Sequence, residues 1–204
     1  MLMFNLLNRL KPCYLCGEFN IHNTQSLCMA CWQQLKIKPR YIQKQEVSVL
    51  IAASYQFPLN RVIQKFKYNQ ELQYIDIFKQ ICSEINLSQD FQAIVPMPIS
   101  TSRLHQRGYN QAHLIAKHLS QKYNIPLWTP IKRKHEHSQK GLSRVERLTH
   151  IEDQFEIAPS SPLRYRKVLI VDDVITTGSS IFALKNKLHT LGCNHVEAFC
   201  IAAA

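Results

Sequence analysis

The stretch Val168-Leu-Ile-Val-Asp-Asp-Val-Ile-Thr-Thr-Gly-Ser-Ser180 decides the class of fold. β-Forming residues run into two adjacent carboxylates, Asp172 and Asp173, and a hydroxyl-rich turn containing Gly178 opens a helical pattern that spans Thr176 to Leu191. A second β-rich run, His195 to Ala202, follows. A strand, a crossover helix and another strand imply a parallel sheet, because parallel neighbours need a long connection. In open sheets of this kind ligands bind beyond the carboxyl ends of the strands, so Asp172 and Asp173 are expected at the mouth of a site. The turn beyond them offers backbone N–H groups, the hydroxyls of Thr176, Thr177, Ser179 and Ser180, and the positive end of a helix dipole, which together suit a phosphate. Two carboxylates nearby can accept the vicinal hydroxyls of a sugar or hold Mg²⁺ through water. The stretch reads as a grip for a ribose 5-phosphate; the alternative is a β-turn followed by a helix cap. Neither GxxxxGK[ST] nor GxGxxG occurs, and with five glycines in the chain the competing phosphate motifs are excluded.

Upstream the alternation continues. Lys167 to Val171 is the strand leading into the acids, and Val47 to Tyr55 is a continuous β-rich run of the kind buried on both faces. Leu59 to Tyr68 and Leu72 to Ile85 space their apolar residues helically, and Ala93 to Pro98 is a short strand ended by proline. Gly108 to Tyr123 predicts a helix with Ala112, Ile115, Ala116 and Leu119 on one face, followed by a further strand over Pro126 to Ile131. Arg133 to Arg147 breaks the apolar rhythm, contains Gly141, is dense in Lys, Arg and His, and reads as a long mobile loop. Leu35 to Gln45, basic and carrying Pro39, reads as a linker. It divides the chain into an N-terminal module, residues 1–42, and an α/β domain, residues 43–204.

Cys13 and Cys16 form one CxxC, and Cys28 and Cys31 a second, with eleven residues between the pairs. Each pair can turn the backbone so that two sulfurs lie on one side, and two such knuckles complete a zinc tetrahedron, with Gly17 suited to the tight turn after the first. Four thiolates leave no position for water, so the metal would be structural. Two redox-active pairs or four core thiols are the alternatives. Cys82, Cys193 and Cys200 lie in apolar stretches and read as small core residues.

The chain has 204 residues, 46% of them hydrophobic and 19% charged, which is the composition of a globular protein with an ordinary core. Lys and Arg number 25 against 14 Asp and Glu, a formal charge of +11 that favours a polyanionic partner: nucleic acid or a phosphorylated metabolite. No run approaches the roughly 18 to 20 apolar residues of a membrane span, which excludes a transmembrane class. Met1 to Leu10 is too short for a secretory signal and is broken by Asn5, Asn8 and Arg9, so a cytoplasmic location is expected. The odd cysteine count, seven, agrees with a reducing compartment.

Residues 168–180 resemble, over all thirteen positions, the phosphoribosyl pyrophosphate (PRPP) signature of type I phosphoribosyltransferases. The four-cysteine N-terminus, Ile94-Val-Pro-Met-Pro-Ile99 with Arg103, Arg107-Gly-Tyr-Asn-Gln-Ala112, and Arg133 with Gln139, Leu142 and Arg147 extend the likeness. Together these features resemble the ComF family, in particular its ComFC-type members, across nearly the whole chain. The resemblance implies a type I phosphoribosyltransferase fold that binds PRPP with Mg²⁺, in a protein needed for natural transformation, where single-stranded DNA enters the cell. It also implies that Ser100, Thr101 and Arg103 occupy a pyrophosphate loop and that Lys132 to Arg147 form a hood. Pyrophosphate leaving the ribose needs cations where negative charge develops, and Arg103, Arg107, Arg133 and Lys134 are the candidates. Asn110 and Tyr109 serve either the ligand or the start of the following helix. Two positions depart from the family's usual residues: His150 in place of Asn, and His137 in place of Thr.

Three functional readings follow. The first is transfer of a phosphoribosyl group to an acceptor that no segment specifies. The second is single-stranded DNA binding on the same scaffold, drawing on the net charge and on Lys65-Phe-Lys-Tyr68, where rings among cations can stack on bases or else pack an amphipathic helix. In the third, the cysteine knuckle is an adaptor that docks to a helicase-like motor of DNA import.

Overall fold

The computed structural model describes residues 12–19, 26–68, 71–134, 154–158 and 164–204. Its centre is a five-stranded sheet in the order β1-β2-β7-β6-β3, made of β1 (Arg40–Lys44), β2 (Val47–Ser54), β3 (Ala93–Pro96), β6 (Lys167–Ile175) and β7 (His195–Ala203). β2, β7, β6 and β3 run parallel, and β1 is an antiparallel edge. The α/β class with a parallel sheet is therefore as expected. β4 (Ile131–Arg133) and β5 (Phe155–Ile157) form a separate antiparallel pair.

Continuous apolar strands follow from burial on both faces. Successive side chains of β6 alternate: Leu169 and Val171 join one cluster with α2 (Leu59–Tyr68), α3 (Ile75–Ser83) and α5 (Gln111–Tyr123), while Val168 and Ile170 join another with α6 (Ser179–Thr190). Cys82 belongs to the first cluster, and Cys193 and Cys200 to the second, as buried core residues.

Several boundaries differ from the sequence reading. The stretch Leu35 to Gln45 contains β1, whose residues alternate between exposed and half-buried; an edge strand with a polar face has no apolar run to announce it. The expected division after residue 42 falls inside this strand, and Cys13, Leu27, Cys28, Cys31 and Leu35 pack into the same cluster as α2 and α3. The helix expected from Gly108 begins at Gln111, because Gly108 is the left-handed residue (φ 77°) that ends a separate helix, α4 (Thr101–Arg107). Helix α4 buries none of its residues and so has no apolar stripe to read. Between Pro126 and Ile131 there is only a single bridge, from Leu127 to Ile94, before β4. The helical stretch from Leu72 opens with a 3₁₀ turn, Leu72–Tyr74. Strand β6 continues past Val171 to Ile175, and α6 starts at Ser179, so both acids lie within the strand.

Residues 1–11 and 135–153, and with them Met1 to Leu10, His137, Gln139, Leu142, Arg147, His150 and most of the expected loop and hood, lie outside the described residues. Among the described residues no helix is long and apolar enough to cross a membrane.

Candidate functional site

Strand β6 carries Asp172 and Asp173 into a cavity of about 460 Å³. Pairing with β3 ends at Val171, opposite Pro96, while pairing with β7 continues through Asp172, opposite Cys200, so the acids lie in a strand paired on one side and not in a free loop. Asp173 is only 5% exposed. One of its oxygens, Oδ1, accepts the Val174 N–H at 2.7 Å and the Lys67 ammonium at 2.8 Å. Asp172 Oδ1 accepts the Asp173 N–H at 2.8 Å. Burial, then the neighbouring Asp173 charge, push the Asp172 carboxyl up to about 7. Burial opposes the Lys67 charge, but the attraction of Asp173 and Asp172 prevails and raises the ammonium above the usual lysine range.

The other polar groups of the lining are mostly cationic or amide. Arg103 and Arg107 come from α4, Arg133 from β4, Asn110 and Gln111 from the start of α5, and Ser180 from the first turn of α6. Ser100 caps α4 by accepting the Arg103 N–H, and Asn110 caps α5 by accepting the His113 N–H while donating to the Met97 carbonyl at 2.9 Å. Arg107 Nη1 donates to Gln111 Oε1 at 3.2 Å, and its guanidinium lies 5.2 Å from the centre of the Tyr68 ring. Among the described residues Asp173 Oδ2, Arg107 Nε and Gln111 Nε2 are buried without a hydrogen-bond partner. Buried polar atoms without partners call for an explanation, and a polar ligand or water in the cavity that these three residues line supplies one.

Of the residues singled out in the sequence, Asp172, Asp173, Ser180, Arg103, Arg107 and Arg133 line this cavity. Thr101 and Lys134 instead line an adjoining cavity of about 410 Å³, which shares Ile99, Asn110 and Arg133 with the first. Ser100 is fully buried, with its hydroxyl engaged as a helix cap. Thr176, Thr177, Gly178 and Ser179 form the turn between β6 and α6, where the Thr177 and Ser179 hydroxyls meet at 2.9 Å. Gly178 is left-handed (φ 85°), and a Cβ there would come within 2.9 Å of Lys44 Cβ.

Lys67 and Gln111 line the site without having been assigned to it. A readable signal existed for Lys67: it follows Ile63 by one helical turn, on the side where Leu59, Val62, Ile63 and Phe66 are buried, so a charge stands on an otherwise apolar stripe. Phe66 itself is fully buried against Phe78 and Tyr109, and its carbonyl accepts the Tyr109 hydroxyl, so it is a core residue and not a base-stacking one. Tyr68 is 67% exposed at the cavity rim.

The four N-terminal cysteines also converge. Their sulfurs all lie within 4.8 Å of one another, and Cys16 Sγ and Cys28 Sγ are 3.8 Å apart. The first turn is closed by Gly17 N–H to the Cys13 carbonyl at 2.8 Å; Cys28 caps the short helix α1 (Met29–Gln34) and places Cys31 in its first turn. Burial disfavours the Cys13 thiolate, but backbone hydrogen bonds from Cys16, Cys28 and Leu15 outweigh it and bring the thiol down to about 6. The cluster can hold a metal ion.

A scan of the chain against protein-family models finds no match. Two solved structures, a purine phosphoribosyltransferase from Pyrococcus horikoshii and an orotate phosphoribosyltransferase from Aeropyrum pernix, are similar over 67% of this chain and over 75% and 63% of theirs, at 19% and 16% identity with TM-scores of 0.38 and 0.40. Competence protein ComFC of Bacillus subtilis is 27% identical over 83% of this chain and 68% of its own. Competence protein F of Haemophilus influenzae is 32% identical over 91% of this chain and 94% of its own. With that identity over nearly its whole length, the chain belongs to the competence protein F (ComF) family.

Proposed function

We propose that this is a competence protein acting in natural transformation, in the uptake or internal handling of single-stranded DNA, and that its cavity binds PRPP or another ribose 5-phosphate ligand with Mg²⁺. The observation that carries the ligand is an acidic floor inside cationic walls: buried Asp173 with one unpartnered oxygen, faced by Arg103, Arg107 and Arg133. A sugar phosphate has the opposite polarity in each part, with hydroxyl donors for the carboxylates and phosphate oxygens for the guanidinium groups. Mg²⁺, held near Asp172 and Asp173 through water, would offset the negative charge of the phosphates and of the acid pair. Asp172 and Asp173 receive the sugar hydroxyls, the turn from Thr176 to Ser180 takes the 5-phosphate, and the arginines take the pyrophosphate.

Transfer of the phosphoribosyl group to an acceptor is the second reading, favoured by the cations clustered where a leaving pyrophosphate gathers charge. The role in DNA handling draws on the names of the relatives, on the formal charge of +11 and on the exposed Tyr68 ring beside Arg107.

For the knuckle we propose a structural zinc. A tetrahedron with Zn–S bonds of about 2.3 Å has edges of about 3.8 Å, and the separation of Cys16 Sγ and Cys28 Sγ is 3.8 Å. Cys13, Cys16, Cys28 and Cys31 would be its four ligands, and the outer surface of the knuckle, where Cys16 is exposed, would be the place for a helicase-like partner to dock.

Calorimetric titration of PRPP with Mg²⁺ into the wild type and into an Asp172→Asn, Asp173→Asn double variant tests the pocket, followed by single-stranded DNA into both. Binding of PRPP by the wild type and its loss in the variant, with DNA binding retained, is the expected outcome. Equal PRPP binding by both proteins overturns the assignment of the acids, and retained DNA binding with no PRPP binding at all overturns the ligand.

A further inference from the structure

We infer that Lys67 is a positioning residue that makes this cavity selective for a ribose over a deoxyribose 5-phosphate; the inference rests on the sugar-phosphate reading above. A carboxylate free to rotate offers either oxygen to any donor, but Asp173 is not free. Its Oδ1 is held from two sides, by the Val174 N–H at 2.7 Å within the strand and by Lys67 Nζ at 2.8 Å from across the cavity. What is left is Oδ2, buried and without a partner among the described residues, in a side chain that is 7% exposed. A single oriented acceptor beside a second carboxylate, Asp172, matches two adjacent hydroxyls, one for each acid. A sugar lacking one of them leaves Oδ2 buried and unpaired, which is the costly arrangement.

Lys67 can do this because its helix is fixed independently of the ligand. The carbonyl of Phe66, one residue earlier, accepts the Tyr109 hydroxyl. Lys65 donates to Tyr74 Oη at 3.1 Å, and Tyr74 donates to the Tyr14 carbonyl, between Cys13 and Cys16, at 3.2 Å. The end of α2 is thus tied both to the Arg107–Ala112 segment and to the cysteine knuckle, and Lys67 approaches Asp173 from a rigid base. The sugar of a DNA chain, lacking the 2-hydroxyl, does not satisfy this pair, so a DNA surface would lie outside the acid floor.

The full chain and its Lys67→Met and Lys67→Arg variants are titrated with ribose 5-phosphate and with 2-deoxyribose 5-phosphate in the presence of Mg²⁺. Methionine keeps the alkyl stem, and thermal unfolding reports that each variant is folded. The wild type is expected to prefer ribose by at least about tenfold. In Lys67→Met that preference falls to about twofold or less through the ribose arm alone, and Lys67→Arg restores most of it. Asp173→Asn abolishes the preference too and adds no further loss to Lys67→Met; it stands in if the methionine variant is unfolded, with Lys67→Arg as the folded reference. A wild-type ratio in Lys67→Met, or no ribose preference in the wild type, overturns the role of Lys67 while the sugar-phosphate reading stands. Binding of neither sugar phosphate, nor of PRPP, by the wild type overturns the reading and this inference together.

Discussion

The cysteine knuckle and the acid cavity solve the same problem, bringing polar side chains into a fixed constellation, by opposite means. The knuckle takes its four sulfurs from one short segment, residues 13–31, in which a glycine turn follows the first pair and a one-and-a-half-turn helix carries the last cysteine. The cavity takes its groups from α2, α4, α5, β4, β6 and α6, and none of these elements holds it alone. A site closed by local spacing is readable as a motif. One closed by packing takes its precision from a core, and damage anywhere along that core reaches it.

Removing a ligand from the knuckle has the largest expected effect. Cys16→Ser should release bound zinc, seen as a fall in the metal-to-protein ratio by elemental analysis, because thiolate binding of a structural zinc is worth on the order of 10 kcal/mol in such small units. Since Tyr14 is joined to Tyr74 and through it to Lys65, the same variant should also weaken sugar-phosphate binding. Unchanged ligand affinity in a zinc-free protein would make the two regions independent after all.

Gly178→Ala tests the packing side of the comparison. The substitution places a Cβ within 2.9 Å of Lys44 Cβ on β1, at a φ of 85° that side chains seldom adopt. A loss of about 1–3 kcal/mol is expected in urea unfolding, together with weaker phosphate binding as the turn shifts. Stability equal to wild type would show that the β1 edge yields freely. Asn110→Ala should cost about 1–2 kcal/mol from the cap alone; a larger loss would reflect the severed link to the Met97 carbonyl, which holds α5 against the end of β3.

A pH dependence centred on the cavity tests the acid pair itself. The Asp172 carboxyl is raised to about 7 in the folded chain, against about 4 when unfolded. Between those values the folded protein holds the proton and the unfolded chain has released it. The contribution of Asp172 is therefore most favourable below about pH 4 and is lost as pH rises to about 7. Denaturation midpoints at pH 5 and pH 8 should differ less in Asp172→Asn than in the wild type. An equal difference in both proteins would mean that Lys67 already compensates both acids.

Much of this was legible along the chain. The acids, the turn after them, the two CxxC pairs and the apolar stripe of α5 are contiguous or periodic features, and periodicity reports which face an element buries. Helix α4 and strand β1 were not legible, because one buries nothing and the other presents a polar edge. The Lys65–Tyr68 segment shows the limit most clearly. Its alternation of cations and rings reads equally as a stacking surface or an amphipathic helix, and burial divides it residue by residue: Phe66 in the core, Lys65 on Tyr74, Lys67 on Asp173, and Tyr68 at the rim.

The α/β class, the four-cysteine segment and the pair of acids are written in the chain, because each depends on residues within reach of one another along it. It is the packing of distant segments that leaves one oxygen of Asp173 doubly bonded and the other buried without a partner among the described residues. That outcome needs a lysine from a distant helix, whose end is tied to Tyr109 and, through Lys65 and Tyr74, to Tyr14, and neither tie is encoded in the spacing around the acids.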